Sequence, residues 1–353
     1  MAIQKKLFDT LNGKEIYSYT ITNASGAFVE IITLGCRLKQ IVLPDRNGKL
    51  ENIVLGCNDA AGYFESDSEY FGAIVGRYAN RIKNATYTYN GEEIKLTVNE
   101  NANHIHGGKG GFHNIIWDVT YETENTITFE TMQADGTEGF PGNLKMKLIY
   151  TFTDDNILKM ELYANCDKDT IFNPTNHSYF NLNLPNPDAN LQYLKIESNK
   201  YTPFDKELIP TGEICTTPEI LDFTEFKRIG TGIAMMKDVH DLDLSNGYDH
   251  NFIISNEKTE NKLLATLLSV ESGRKMEVYS NYPGVQFYGG NHLNFKAVCL
   301  EPQCFPDSAH HQDEPAWQPM PFIKKGETEK YEITYKFTTL NDEETNDFLA
   351  KHP

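Results

Sequence analysis

One histidine lies inside a run of amide, hydroxyl and aromatic residues about halfway along the chain. His177 follows Asn173-Pro174-Thr175-Asn176 and precedes Ser178-Tyr179-Phe180-Asn181-Leu182. Asn, Pro and Ser favour turns and strand ends, whereas Tyr and Phe favour strands. We therefore expect His177 at a sheet rim, where an imidazole with a pKa of about 6.5 can give or take a proton at neutral pH. A half-buried structural histidine is the alternative that this stretch leaves open.

A carboxylate is predicted at the end of a strand late in the chain. Glu301 closes the apolar run Val298-Cys299-Leu300, and Pro302 and Pro306 after it predict a rigid turn. A carboxyl group at the rim of an apolar sheet has a raised pKa, because burial disfavours its charge, and such a group suits a general base. The alternative is a surface glutamate at a strand end.

Two histidines alternate ahead of a glycine-rich stretch. His104 and His106 flank Ile105, and Gly107-Gly108-Lys109-Gly110-Gly111 follows. On a strand this spacing points both rings to one face, as a metal site requires, and the glycines let a ligand approach the backbone. The phosphate-loop pattern G-x-x-x-x-G-K-[ST] is absent. Taken alone, the stretch fits a metal site and an organic-ligand site equally well.

Two arginines lie four residues apart in a third stretch. Arg77 and Arg81 flank Tyr78-Ala79-Asn80. An arginine offers five donors and a permanent charge, which suits recognition of hydroxyl or carboxylate groups. The alternative is a pair of surface arginines with ordinary ion pairs.

The elements that must position these side chains are predicted to be strands. Apolar and polar residues alternate repeatedly, with turn residues between the runs. Near the end, one face of a long strand is marked by Tyr331, Ile333, Tyr335 and Phe337. Three hairpins are predicted, at Thr86 to Tyr89 with Ile94 to Val98 across Asn90-Gly91, at Lys145 to Phe152 with Leu158 to Tyr163, and at Leu263 to Val270 with Lys275 to Tyr279.

Helical signals are few. Asn341 to Lys351 is predicted to form a short helix that Asn341 caps, whereas Glu219 to Lys237 has no sustained 3.6-residue period. Many strands joined by tight turns predict an all-β sandwich or barrel, which we interpret as one antiparallel domain over residues 1–353. Function is expected in the long loops, at Asp59 to Tyr70, Asn99 to Asn114, Asn183 to Ile220 and Pro302 to Pro321.

Composition limits the classes of binding partner and the cellular compartment that we expect. The 353 residues carry a formal net charge of −18, which argues against nucleic acid and anionic membranes as partners. The six cysteines form no C-x-x-C pair in a chain large enough to fold without disulfides, so we expect reduced thiols in a cytoplasmic protein. We also expect neither a secretory signal nor a membrane span, since no long apolar run is present.

Considered together, the motifs resemble those of the aldose 1-epimerases, also called galactose mutarotases. The similarity runs nearly end to end, in the order and spacing of that family. The motifs are Thr33-Leu34-Gly35-Cys36 with Pro44-Asp45-Arg46-Asn47-Gly48, Ile53-Val54-Leu55-Gly56, Gly76-Arg77-Tyr78-Ala79-Asn80-Arg81-Ile82, His106-Gly107-Gly108, Asn176-His177-Ser178-Tyr179-Phe180-Asn181-Leu182, Tyr248-Asp249-His250-Asn251-Phe252, Pro283-Gly284-Val285-Gln286-Phe287-Tyr288, and Leu300-Glu301 with Pro306-Asp307.

The resemblance implies a large antiparallel β-sandwich of the galactose mutarotase-like supersandwich type, with few short helices and an open sugar cleft. It implies an enzyme that interconverts the α and β anomers of free hexoses such as galactose and glucose. Glu301 would be the general base and His177 the general acid, with His106 beside the reacting centre. No metal or organic cofactor belongs to the pattern. The sugar-binding residues that it implies are Arg81, Asn80, Asp249 and Gln286.

The implied reaction matches these residue types. Anomer exchange takes a proton from the C1 hydroxyl and gives one to the ring oxygen, after which the ring opens, the C1–C2 bond rotates and the ring closes on the other face. A carboxylate and an imidazole on opposite sides of one hemiacetal suffice, and each supplies roughly 10²–10⁴-fold.

Three alternatives remain open at this point, as does the choice between a monomer and a homodimer. An epimerase of a phosphorylated hexose would need basic residues near the cleft, for which the loose candidates are Lys109, Lys324 and Lys325. A non-catalytic carbohydrate-binding module would need no acid/base pair, so His177 and Glu301 together count against it. A metal-dependent β-barrel enzyme would use His104, His106, His177 and Glu301.

Overall fold

The fold is built from antiparallel strands. The computed structural model describes residues 2–233, 244–257 and 260–352, and within these ranges every pairing between named strands is antiparallel. The strands are β1 (Ala2–Leu11), β2 (Lys14–Thr22), β3 (Phe28–Ile32), β4 (Arg37–Pro44), β5 (Leu50–Asn52), β6 (Ala73–Val75), β7 (Arg81–Ile82), β8 (Thr86–Tyr89), β9 (Glu92–Lys95), β10 (His104–Ile105), β11 (Asp118–Glu122), β12 (Thr126–Gln133), β13 (Leu144–Phe152), β14 (Ile157–Cys166), β15 (Thr170–Ile171), β16 (Thr175–His177), β17 (Tyr193–Ile196), β18 (Lys200–Thr202), β19 (Cys215–Thr216), β20 (Lys227–Arg228), β21 (Asp249–Ile253), β22 (Lys262–Leu268), β23 (Arg274–Ser280), β24 (Gly284–Tyr288), β25 (Cys299–Gln303), β26 (Phe322–Ile323) and β27 (Thr328–Thr339).

Helices contribute little. Two α-helices are described, α1 (Ile229–Ile233), which reaches the edge of a described range, and α2 (Asp342–Lys351). The Asn341 side chain accepts a hydrogen bond from the Glu344 amide, and Glu344 reaches back to the Asn341 amide, so the predicted cap of α2 is confirmed as a full capping box. No helix in the part of the chain that the structure describes has the length and apolar character needed to cross a bilayer.

Three large sheets form the framework. The first has five strands in the order β1-β2-β3-β4-β5, and the second has nine in the order β11-β12-β13-β14-β27-β23-β22-β17-β20. The third has five, in the order β19-β18-β21-β24-β25. The short strands form two-stranded ribbons, β6 with β16, β7 with β10, β8 with β9 and β15 with β26.

One hydrophobic cluster joins the three sheets into a sandwich. It contains Ile31 of the first sheet, Leu148 and Ile333 of the second, and Phe287 of the third, all of them fully buried. Strand β14 alternates buried and half-buried positions along its whole length, because one of its faces packs on this core. The predicted fold class, a large antiparallel β-sandwich, is therefore confirmed.

The strongest sequence signals are confirmed as elements. The three predicted hairpins are β8–β9, β13–β14 and β22–β23, although β9 ends at Lys95, before the predicted Leu96 and Val98. Strand β27 buries Tyr331, Ile333 and the other residues predicted for its inner face.

Two other expectations were wrong in part. The segment from 183 to 220, predicted to be a long loop, contains β17, β18 and β19. These strands have two to four residues, so their alternation is too short to distinguish from chance. Helix α1 lies in the stretch that lacked a helical period, and its five residues are too few to display one. The rest of that stretch, from 234 to 237, lies outside the described residues.

Candidate active site

One open cleft gathers side chains from six short strands. It has a volume of about 410 Å³, and β7, β10, β16, β21, β24 and β25 all contribute to it. Six of the seven predicted site residues line it, and the seventh, Gln286, lies directly behind Asp249. The lining residues are Ser66, Asp67, Tyr70, Asn80, Arg81, Glu100, Ile105, His106, His177, Tyr179, Leu208, Ser245, Asp249, Tyr288, His292 and Glu301.

The imidazole of His177 is fixed in both plane and direction. The side chain is 5% exposed, and its ring stacks between Tyr70, at 5.6 Å between ring centroids, and Tyr179, at 5.0 Å. Its Nδ1 lies 3.5 Å from Sγ of Cys299. Its Nε2 lies 3.7 Å from Oε1 of Glu301. The ring therefore directs Nε2 toward the carboxyl group.

Glu301 sits in the middle of β25 and is 3% exposed. Burial raises the pKa of this carboxyl well above its usual range, and the nearby charge of Asp249 raises it further. Burial also lowers the pKa of His177 to about 3, because the imidazolium loses its water. The two groups thus share one proton over a wide pH range, and the carboxyl is its favoured location.

Arg81 carries the fixed positive charge of the cleft. Among the described lining residues it is the one arginine or lysine, beside four carboxyl side chains. Its Nε and Nη2 donate to Glu100 at 2.6 and 2.8 Å, and its Nη1 lies 3.8 Å from Oδ2 of Asp249. Asp249 also accepts from Nε2 of Gln286 at 2.7 Å. Burial nevertheless raises the pKa of Asp249, so burial outweighs the opposing effects of Arg81 and Gln286.

His106 is held by two hydrogen bonds to Asn80, the residue just before β7. The Asn80 amide donates to His106 Nδ1 at 3.1 Å, and the His106 amide donates to the Asn80 carbonyl. The next residue, Gly107, has a φ of +86°, and a Cβ there would lie 1.8 Å from the Gly76 carbonyl oxygen. Burial lowers the pKa of His106 well below its usual value, with the nearby His177 as a further cause. His106 therefore enters the cleft as a neutral ring.

The expectation that His104 and His106 share one face was wrong. Strand β10 ends at Ile105, and His106 has a φ of +52°, so the alternation stops before the second ring. His104 instead hydrogen bonds to the Thr97 carbonyl through Nδ1 and packs edge-on against Phe140. The two rings cannot serve one metal ion in this arrangement.

Arg77, the other arginine of the pair, is a structural residue. It is fully buried, and its guanidinium donates to Oε1 of Gln133 and to the carbonyls of Pro141 and Gly142. Regular alternation would place residues 77 and 81 on one face, but the backbone between β6 and β7 is irregular, with Asn80 at a φ of +65°, so Arg77 packs beside the hairpin β12–β13 and Arg81 lines the cleft.

One group of three potential metal ligands occurs among the described residues, and it is formed by His177, Cys299 and Glu301. Cys299 faces Nδ1 of the imidazole, whereas Glu301 faces Nε2. One ligand atom from each of the three residues lies within 4.8 Å of the other two, but Cys299 and Glu301 lie on opposite sides of the imidazole. The geometry fits hydrogen bonding better than coordination.

Several lining residues were not predicted from the sequence. Tyr70 contacts the rings of His106 and His177 at 4.7 and 5.6 Å, yet it ends a loop with no distinctive pattern. Glu100 precedes the histidine motif, and nothing in its immediate neighbours marks it. The pairing of β7 with β10 brings Glu100 beside Arg81. Its place in the cleft therefore depends on contact between distant segments, which no local motif indicates.

Comparison with known proteins identifies the family of this chain. The family model described as aldose 1-epimerase matches residues 17–336. Galactose mutarotase of Bos taurus is 36% identical over 324 residues, covering 88% of this chain and 91% of that protein. Aldose 1-epimerase of Haemophilus influenzae is 33% identical over 350 residues, covering 95% and 99%. The crystal structure of galactose 1-epimerase from Lactobacillus acidophilus superposes with a TM-score of 0.83 at 28% identity, covering 96% and 99% of the two chains. The chain therefore belongs to the aldose 1-epimerase family.

Proposed function

We propose that this enzyme interconverts the α and β anomers of free hexoses such as galactose and glucose, with Glu301 and His177 as the acid/base pair. The observation that carries the proposal is a buried carboxyl and a buried imidazole 3.7 Å apart in an open cleft, with pKa shifts of opposite sign. Acid and base roles on one hemiacetal need such a pair. The names of the relatives support galactose as a substrate.

The reaction begins with the proton on His177. Glu301, as carboxylate, removes the proton from the C1 hydroxyl, while Nε2 of His177 gives its proton to the ring oxygen. The C1–O5 bond breaks as the C1 carbonyl forms, and the pair is left as a carboxylic acid and a neutral imidazole. The C1–C2 bond then rotates, and the O5 hydroxyl attacks the other face of C1. His177 recovers the O5 proton, and Glu301 returns its own proton to O1.

The pKa shifts assist both proton transfers. A carboxylate with a raised pKa is a stronger base, and an imidazolium with a lowered pKa is a stronger acid. The state that burial favours, carboxylic acid with neutral imidazole, is the state of the pair when the sugar is open. The cleft thus stabilises the protonation pattern of the intermediate relative to that of the cyclic sugar.

The remaining predicted residues would hold the sugar. Arg81 and Asp249 offer charged hydrogen bonds to hydroxyls, with Gln286 fixing Asp249 and Asn80 fixing both Arg81 and His106. His106, as a neutral ring beside His177, would contact the substrate near the reacting centre.

The setting of the enzyme completes the proposal. We propose one domain over residues 1–353, acting in the cytoplasm as a monomer or homodimer, with no nucleic acid or membrane partner. The continuous core supports the single domain, and six free cysteines support a reducing compartment.

Polarimetry on freshly dissolved α-galactose and α-glucose tests the proposal. The protein should speed the approach to anomeric equilibrium, and the Glu301→Gln variant should not. A wild-type protein that leaves the spontaneous rate unchanged for both sugars would overturn the assignment.

A further inference from the structure

The side chain of Glu100 is fully committed to one partner in the cleft. Its Oε2 accepts from Nε of Arg81 at 2.6 Å, and its Oε1 accepts from Nη2 at 2.8 Å. Such a bidentate pair fixes the plane as well as the position of a guanidinium. The Arg81 side chain is 10% exposed and that of Glu100 is 29% exposed, so solvent screens the pair only in part.

The backbone of Glu100 is fixed too. The Asn103 amide donates to the Glu100 carbonyl at 2.7 Å, and the Glu100 amide donates back to the Asn103 carbonyl at 3.2 Å. The buried Asn103 side chain then accepts from the Asn84 amide at 2.9 Å, just beyond β7. A closed turn just before β10 therefore holds Glu100, and a hydrogen bond from Asn84 ties that turn to the segment after β7, the strand that carries Arg81.

This arrangement decides what the third guanidinium nitrogen does. With Nε and Nη2 on Glu100, the remaining Nη1 lies 3.8 Å from Oδ2 of Asp249, within ion-pair distance but beyond hydrogen-bond distance. Without Glu100, the nearest carboxylate for Arg81 would be Asp249. Arg81 would then pair with that group, and the charged donor and acceptor would bind each other in place of a ligand.

We propose that Glu100 is a positioning residue that holds Arg81 apart from Asp249, so that both groups stay available to the sugar hydroxyls. The inference rests on the proposed function, because it names how that same site keeps its sugar-binding groups open. Glu100 acts through Arg81, since both of its carboxylate oxygens are already occupied by the guanidinium.

The test is steady-state mutarotation of galactose by wild type, Glu100→Gln, Glu100→Asp, Arg81→Ala and the double variant Glu100→Gln/Arg81→Ala. Glu100→Gln should raise KM by about tenfold, the size of one lost charged hydrogen bond, and should lower kcat less than it raises KM. Glu100→Asp keeps the charge but is one methylene too short to reach both nitrogens. Its KM should therefore lie between the KM of wild type and that of Glu100→Gln. In the Arg81→Ala background, Glu100→Gln should change KM little, because its partner is already gone.

Glu93 provides the matched control. It pairs with Lys95 at 3.2 Å on an exposed hairpin, with its side chain 59% exposed, so Glu93→Gln should leave KM unchanged. A Glu100→Gln variant with wild-type KM, or one whose KM effect is as large in the Arg81→Ala background, would overturn the inference. A purely structural role would instead lower the melting temperature and reduce kcat at constant KM. Wild-type inactivity toward aldoses would sink the proposed function itself, which is a separate result.

Discussion

Burial acts on the two reacting groups in opposite directions. At 3% and 5% exposure, Glu301 and His177 both lose the water that would stabilise their charges. The favoured state is therefore the neutral pair, and the reactive state with carboxylate and imidazolium is a minor one. Burial therefore makes both the acid and the base stronger. It also lowers the fraction of enzyme molecules that hold the carboxylate and imidazolium forms with which the reaction starts.

Removing either member of the pair should abolish most of the catalysis. Glu301→Gln and His177→Asn keep the shape of each side chain, and each should lower kcat by roughly 10²–10⁴-fold, the usual contribution of one acid or base. The double variant should be little worse than either single one, because the two groups act as a unit. Polarimetry and a thermal melt measure activity and folding. A folded Glu301→Gln enzyme with near-wild-type kcat would assign the base to another residue, with Asp307 or Asp249 next to test.

The pH dependence of kcat/KM should be bell-shaped, and the pKa directions identify its limbs. On the acid side activity should fall below about pH 3, where both groups are protonated and no base remains. On the alkaline side it should fall as pH rises through the raised pKa of Glu301, where the last proton leaves the pair. Ordinary pKa values for a carboxyl and an imidazole would give the reverse order, with the acid limb on the carboxylate, so burial of the two groups decides which limb each one sets. A Glu301→Gln variant that retains the wild-type alkaline limb would contradict this assignment.

Functional residues could be predicted from the sequence where they lie inside a recognisable motif. His177 ends β16 as expected, whereas Glu301, expected at a strand end, lies in the middle of β25, and both motifs could be matched to a family. The expectation of a raised pKa at Glu301 is confirmed. Glu100 and Tyr70 were missed, because their importance arises from contacts with segments far away in the chain.

At the scale of elements, one glycine fixes how closely the histidine loop approaches the backbone just after β6. Gly107 has a φ of +86°, and its missing Cβ leaves room for the Gly76 carbonyl. Gly107→Ala should displace His106 and lower kcat/KM by about 10²-fold, as a misplacement of about 1 Å can. The contact is with backbone, which cannot rotate away as a flexible side chain could.

Gly91→Ala separates the effect of space from that of backbone strain. Gly91 has a φ of +82° but no atom within 4 Å of its absent Cβ. Its replacement should cost about 1 kcal/mol in stability, from the left-handed backbone alone, and leave kcat/KM unchanged. Chemical denaturation and polarimetry on both variants measure the two effects. Equal losses of activity in both would show that His106 does not depend on the close approach.

The length of an element decided whether it could be predicted. Hairpins with long arms, such as β13–β14, repeat their alternation often enough to be recognised. Three of the six strands that build the cleft, β7, β10 and β16, have only two or three residues and owe their existence to pairing across the fold. Their positions depend on tertiary contacts that local propensity does not encode.

For the molecule as a whole, the acidic charge favours a neutral substrate. The net charge is −18, and Arg81 is opposed by four carboxyl groups among the described lining residues. Lys109, Lys324 and Lys325, the basic residues considered for a phosphate, do not line the cleft, and Lys324 pairs with Asp169 instead. A phosphorylated hexose would therefore meet repulsion in the site.

Salt dependence distinguishes the two substrate classes. For galactose, kcat/KM should stay constant between about 0.01 and 0.15 M salt, since a neutral sugar experiences no net steering. For a hexose 6-phosphate it should be lower, and it should rise with salt as the repulsion is screened. Polarimetry of both sugars at matched ionic strengths makes the comparison. A higher kcat/KM for the phosphorylated sugar would favour the epimerase of phosphorylated hexoses.

The position of β27 has a consequence for how the protein is made. This last strand of the described chain lies between β14 and β23, in the interior of the nine-stranded sheet. During synthesis, the ribosome releases β11 to β14 and later β17 to β23 without the strand that joins them. Each half then presents an unpaired edge that can bind other chains, until residue 339 has emerged. The nascent polypeptide carries one open sheet edge once β14 ends at Cys166 and a second once β23 ends at Ser280, and both stay open until β27 ends at Thr339, so chaperone protection matters most in this interval.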